Sequence, residues 1–442
     1  MLIEFSVENF LSFKDLTTLS MVVAKSFKEH HDSHIINIDE KLALLKSAII
    51  YGNNASGKSN FLEAIGFMKA TVLHSFRDAL MDNSEQISSL EKFALSSATE
   101  NETSFFEILF IHQKRKYRYG FEMDRDKIVA EWLFHTTSKE VYLFKRNFQT
   151  IQINQSAFRE ALGKENDVKK NVLFLSLLAT LGKEISTSIV DWFKKVNIIN
   201  GIHDRGHKRY TIDKLKSEPQ FFNWVLLFIK YLEIVNLSTT EEEVNEIDLE
   251  NLRTKEKDEE IINLLTSIQK IQSKVQSKQP KRDQLITFHR KYDNNNVLID
   301  TVPFNFDKQE SEGTKKLLYL LGPWYDTLQN GKVLIIDELD SRLHSHLTLR
   351  LVDFFHQFNK SNAQLICAVH DISLLNKQTF RRDQIWFMEK NQFGASEMVS
   401  LGQFKTEKVR NKSAFDKNYL TGKYGGIPYF DFDEKLNDLL YE

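Results

Sequence analysis

The stretch Gly52-Asn53-Asn54-Ala55-Ser56-Gly57-Lys58-Ser59-Asn60 sets two glycines, a lysine and a hydroxyl residue at the spacing of a phosphate cradle. Gly52 and Gly57 let successive backbone amides turn toward phosphate oxygens. Lys58 is placed to bridge the outer phosphates and Ser59 to ligate magnesium. A second stretch, "VLIIDELD", carries four apolar residues and then Asp337 and Glu338. That order puts both acids at the carboxyl end of a buried strand, where open α/β sheets place their ligands. Asp337 is suited to hold magnesium directly or through water, and Glu338 to polarise an attacking water. The two stretches together imply an ATP and Mg2+ site at which hydrolysis is chemically available.

Lys58 and Asp337 lie about 280 residues apart, so a whole module separates the two halves of this site. Just before the acidic strand, in "KQESEGTKKLLYLL", Ser311 and Gly313 open a helix. Free amides and a serine hydroxyl at such a start can hold a phosphate other than the one bound by the chain's own loop.

The elements needed to position these residues are legible in outline. Ala43 to Ile50, ending in the apolar run Ala48-Ile49-Ile50, reads as the strand feeding the loop, and Ser59 to Leu80 has the periodicity of the helix leaving it. The opening "LIEFSVENFLSF" alternates apolar and polar residues as a half-buried strand does. The later segments "FFEILFIHQKRKYRYGFEMD" and "KIVAEWLFHTT" are rich in aromatic and β-branched residues, with a turn at Asp124 to Asp126. They predict an antiparallel lobe beside the nucleotide core. From about 147 to 283 the apolar residues group helically, as in "FFNWVLLFIKYLEIV", and Ile261, Leu264, Ile268, Ile271 and Val275 suggest a short coiled-coil hairpin. "QLITFHRKYD" and "NVLIDTVPF" then read as strands returning the chain to the core, followed by two strand-helix units. The expected division is 1–146, 147–283 and 284–442: two halves of one ATPase head around a helical insertion.

The 442 residues carry 59 Lys and Arg against 61 Asp and Glu, a formal charge of -2, so any nucleic-acid surface must be a local patch. No apolar run reaches the roughly 18 residues of a membrane span, and "MLIEFSVENF" lacks the regions of a signal peptide. A cytoplasmic protein is expected. The single cysteine, Cys367, excludes an intramolecular disulfide framework and reads as a buried thiol in "QLICAV".

With these residues in view, the chain resembles the ATP-binding-cassette ATPases of the structural-maintenance-of-chromosomes and RecF type. The resemblance implies an ABC/SMC-type P-loop head, a mixed sheet with an antiparallel lobe, that pairs head to tail with two ATPs between heads. Ser311 and Gly313 match the signature that meets the partner's nucleotide. His370, ending "LICAVH", matches the γ-phosphate-sensing switch histidine, and Asp340 to His344 the dimer-contacting loop. Glu312 stands where transporter signatures have glycine, and Leu11 where relatives carry a basic residue. The glutamine that links magnesium to the neighbouring lobe has two candidates, Gln86 and Gln113.

A resemblance over nearly the whole chain is to the bacterial RloA/AbiLii-type ATPases, related to the OLD family. It rests on "MLIEFSVENFLSF", "YGNNASGKSNFLEAI", "YRYGFEM" with "EWLF", "SEGT", "IIDELDSRLHSHL", "RRDQIWFMEKN" and "YLTGKYGGIP". It implies a sensor or scaffold ATPase in anti-phage abortive infection, controlling a toxic, RloB-like effector. The roughly 70 residues after His370 are too few for the nuclease domain that OLD proteins append, so any nuclease action is expected from a partner. A RecF-like DNA-binding ATPase is the competing reading, through a mild basic excess that includes Arg381, Arg382 and Lys417; a scaffold that binds ATP without needing turnover is the other.

Overall fold

The structure, a computed structural model, describes residues 1–80, 90–200, 205–243, 281–404 and 415–420. Gln86, the coiled-coil positions Ile261 to Val275 and the glycines of "GKYGGIP" lie outside the described residues. The chain forms two compact units, one of Met1–Asp204 with Pro323–Glu442 and one of Arg205–Gly322.

The first unit holds two large sheets. The antiparallel one runs in the order Thr150–Ile153, Glu140–Asn147, Lys127–Thr136, Arg115–Asp124, Ser104–His112, Leu2–Glu8, Thr17–Ser20. Its strands alternate buried and partly exposed residues, as period-two sequences with one face in a core must. The mixed sheet runs Val196–Asn200, Val333–Asp337, Gln364–Ala368, Ser47–Gly52, Ile385–Lys390, Ser396–Ser400. Its first four pairings are parallel and the last is antiparallel. The strand Ser47–Gly52 is buried at every residue, as expected of a central strand covered on both faces.

Helix Lys58–Leu80 shares one apolar core with both sheets through Phe61, Leu62, Ile65, Met68 and Val72. The Phe61 ring meets Phe5 of the antiparallel sheet edge-on at 5.5 Å. Each such side chain contributes about 1.5–3 kcal/mol by burial, which fixes the helix start against the sheet end.

Three strands depart from the helical expectation for 147–283: Thr150–Ile153, already placed at the edge of the antiparallel sheet, and two more. Val196–Asn200 is the edge of the mixed sheet, paired in parallel with Val333–Asp337. In the second unit, helices Arg205–Ser217 and Pro219–Ile229 form as expected, but Glu233 adopts a left-handed conformation (φ 61°) that ends the helical run. The β-branched sequence Ile234–Glu243 then extends and pairs with Lys281–Tyr292, which pairs with Leu298–Asn305. The strands expected to return the chain to the core therefore build a three-stranded sheet of the second unit. The insertion mixes helices with sheet.

Candidate nucleotide site

Three adjacent parallel strands, Val333–Asp337, Gln364–Ala368 and Ser47–Gly52, end at the same edge of the mixed sheet. They bring the loop Gly52–Asn60, the acids Asp337 and Glu338 and the turn at His370 to one place. The loop is held tightly. A side chain at Gly52 would come within 2.3 Å of the Met388 carbonyl oxygen, and Gly57 has φ +109° with Ser396 Oγ 2.2 Å from where its Cβ would lie. Only glycine fits both positions. Ala55 also takes positive φ (64°), a strained choice for a residue with a side chain, at the crest of the loop.

Ser12 and Ser396, which sequence reasoning did not single out, brace this loop. Ser396 Oγ donates to the Ser56 carbonyl at 2.7 Å and lies 2.8 Å from the Ser12 hydroxyl oxygen, while Asn60 Nδ2 donates to Ser12 Oγ at 2.9 Å. Ser12 sits in a turn in which Asn9 and Leu11 both have φ 49°. The position where relatives carry a basic residue is thus a strained turn whose next residue touches the loop. Three segments distant in sequence meet at these hydroxyls, and no motif announces such a meeting.

Lys58 is buried, and its Nζ donates to the carbonyls of Gly52 at 2.7 Å and Asn53 at 3.0 Å. Burial holds its pKa below the usual lysine value, and the carboxylates of Asp337, Glu338 and Asp340 act against that shift. The loop lysine and the acidic strand therefore share one electrostatic neighbourhood although a strand separates them in the sheet. Ser59 is exposed in the first turn of the helix. Around this point several oxygens are buried without a hydrogen-bond partner: Asn53 Oδ1, Ser56 Oγ, Asp337 Oδ1 and Asp340 Oδ1. A buried anionic oxygen beside a serine hydroxyl-bearing helix start has the chemistry of a hard-cation ligand, so these residues fit Mg2+.

Asp340 ties the acidic turn to the next strand's end. Its Oδ2 accepts the backbone N–H of His370 at 2.8 Å and of Asp371 at 2.6 Å, and Leu339 N donates to the Ala368 carbonyl at 3.2 Å. Glu338 has φ 51° and is partly exposed, and the His370 side chain is exposed. Cys367 is fully buried, and burial raises its thiol pKa well above the ordinary range, so it is inert as the sequence suggests.

Ser311 and Gly313 belong to the second unit. Ser311 Oγ accepts the Thr314 N–H at 3.1 Å and caps helix Glu312–Asn330, and Glu312 pairs with Lys315 at 2.9 Å. The Glu312 charge is thereby partly screened. Gln113, with φ 47°, forms the turn between two strands of the antiparallel lobe. Of the basic residues noted in the sequence, Arg381 is fully buried and donates to Asp383 and to the carbonyls of Phe27 and Glu29, so it is structural.

The mixed sheet, its antiparallel lobe, the phosphate loop and the acidic strand together form a mixed α/β P-loop head. Residues 47–376 match the family model described as "AAA domain, putative AbiEii toxin, Type IV TA system", and the chain belongs to that family. Among solved structures it is similar to the SMC head domain from Thermotoga maritima, at 13% identity and TM-score 0.39, covering 90% of this chain and 98% of that one. It is also similar to an SmcHead bound to the C-winged helix domain of ScpA, at 14% identity and TM-score 0.38, covering 92% and 99%. Comparison with curated proteins gives no match. Among the described residues, no helix is long and apolar enough to cross a membrane.

Proposed function

We propose that this chain is an ATPase that binds ATP with Mg2+ at the loop Gly52–Asn60, hydrolyses it slowly, and pairs with a second copy to regulate a toxic effector in anti-phage defence. The observation that carries the reading is the unpartnered, buried Asp337 Oδ1 in the same electrostatic neighbourhood as Lys58. Asp340 Oδ1 beside it and Glu29 Oε2 elsewhere are also buried without a partner, but Asp337 stands at the end of the strand that faces the loop lysine, where a bound cation would satisfy it.

The bound cation would be held by Ser59 and Asp337, and it supplies charge neutralisation of the phosphate oxygens. Lys58 exchanges its bonds to the Gly52 and Asn53 carbonyls for phosphate oxygens, and the amides of Asn54 to Asn60 enclose the rest. Glu338 orients a water for attack. His370, fixed through its backbone by Asp340, faces the terminal phosphate. Ser311 and Gly313 meet the nucleotide of the partner copy, where Ser311 offers a hydroxyl that its own helix already orients. The family description, which names a toxin of a type IV toxin-antitoxin system, supports a setting in which a toxic partner is controlled.

Glu338→Gln tests the chemistry: turnover should fall about 100-fold or more while ATP affinity stays within about threefold. Ser311→Arg should abolish turnover and leave one ATP bound per chain. Full turnover in both variants would remove the composite site. Salt-sensitive, ATP-dependent binding of duplex DNA would favour a DNA-clamp reading instead.

A further inference from the structure

One face of the seven-stranded sheet packs into the core, and the residues of the opposite face stay partly exposed. Across that face Glu8, Phe105 and Glu122 are cross-strand neighbours, and in the next row Glu107, Gly120, Trp132 and Lys145 are. The Trp132 indole lies flat across Gly120, where a Cβ would come within 2.4 Å of the ring. Its Nε1 donates to Glu107 Oε2 at 2.7 Å, and its ring centre is 5.5 Å from that of Phe105. The result is an open concavity of about 860 Å3 floored by aromatic rings.

Charge is distributed unevenly around it. On one side Arg118 is neutralised by Glu107 at 3.3 Å and Glu140 at 3.0 Å. On the other side Glu8, Asp15, Glu102 and Glu122 make no ion pair among the described residues, and Glu122 has only the Thr103 hydroxyl at 2.9 Å. Burial raises the Glu8 carboxyl pKa, and the charges of Glu102, Asp15 and Glu122 raise it further. A row of carboxylates that form no ion pair among the described residues thus borders partly exposed aromatic faces, while Arg118 and Lys145 line the other end of the same concavity.

We propose that this face docks a basic, extended segment of a partner protein, its Lys or Arg side chains lying over Phe105 and Trp132 and against Glu8 and Glu122. Charge complementarity selects this occupant. Aromatic rings attract a cation through their faces, and carboxylates within reach add to that attraction. A nucleic-acid strand, which could also stack on the rings, would bring its phosphates against the same carboxylates. The proposal stands apart from the nucleotide reading, since no residue of this face belongs to the phosphate loop or the acidic strand.

The test uses the full chain and a fluorescent eight-residue peptide of alternating Lys and Thr, titrated by anisotropy at moderate salt, beside a Glu-Thr peptide and a 20-nucleotide oligothymidylate as comparison probes. Saturable binding of the lysine peptide is expected. The double variant Glu8→Gln with Glu122→Gln should weaken it about tenfold, and Glu40→Gln, on a remote exposed acid, should leave it unchanged. ATP binding by the double variant should equal that of the wild type. No saturation, equal affinity in the double variant, or preference for the oligothymidylate would overturn the proposal.

Discussion

Glu131 in the antiparallel lobe and Asp337 at the end of the mixed sheet each hold a carboxylate oxygen out of water, and they differ in what meets it. Glu131, wholly buried, accepts the Tyr119 hydroxyl at 3.0 Å and the backbone N–H groups of Phe174 at 2.7 Å and Leu175 at 3.0 Å. Arg146 stands 3.6 Å away and spends its remaining donors on the carbonyls of Phe148, Val172, Lys169 and Lys170. Burial raises the Glu131 pKa, and Arg146 with the two amides opposes that rise. Asp337 Oδ1 has no partner at all, and the nearby Lys58 gives its donors to loop carbonyls. A buried polar atom left unbonded costs about 1–3 kcal/mol, and the proposed metal-nucleotide would give Asp337 Oδ1 the partner that the protein already gives Glu131.

Breaking the saturated side should have the largest effect. Glu131→Ala strands the Arg146 charge and two helix-start amides, and should lower the unfolding free energy in urea by about 3–5 kcal/mol. A loss below about 1 kcal/mol would mean that the network is not what holds the lobe's last strands to the helix Phe174–Thr180.

Acid should probe a second buried cluster. His34 is buried, donating from Nε2 to the Thr379 carbonyl at 2.9 Å, and its ring stacks 3.7 Å from that of His356 and 4.6 Å from that of His30. Burial lowers its pKa to about 4; the Thr379 bond opposes that, and the charges of His30, Arg381 and Lys46 add to it. The folded state therefore binds fewer protons than the unfolded state between pH 6.5 and about 4. Stability should be full above that window and decline as pH falls through it, by on the order of 3 kcal/mol. His34→Phe, which keeps a stacking ring, should flatten the decline; an unchanged pH profile would assign it to other groups.

Sharpening the comparison on the loop side calls for smaller perturbations. Ser12→Ala removes the hydroxyl shared by Asn60 and Ser396 and should cost about 1 kcal/mol of stability, with weaker nucleotide binding and unchanged peptide-face behaviour. Equal nucleotide affinity would make the brace a packing feature only.

How much of this was readable beforehand follows from where the chemistry resides. The loop and the acidic strand are contiguous runs whose residue types carry their own meaning, so Lys58, Ser59, Asp337 and Glu338 could be singled out without coordinates. Ser12, Ser396 and the Asp340 carboxylate act only through contacts between distant segments, and a serine in a turn has no signature. Val196–Asn200 escaped notice because five residues amid helical patterns give no period to count, and its strand state comes from pairing with Val333–Asp337. Ile234–Glu243 was absorbed into the preceding helix because one left-handed residue, Glu233, is all that separates them.

The central claim is that the unbonded Asp337 oxygen is kept for a metal-nucleotide. Its most direct test is the thermal unfolding shift on adding ATP with Mg2+, compared between the wild type and Asp337→Asn. The account predicts a Mg2+-dependent upward shift in the wild type, its loss in the variant, and nucleotide-free stabilities within about 1 kcal/mol of each other. An equal Mg2+-dependent shift in both proteins, or none in the wild type, would contradict it.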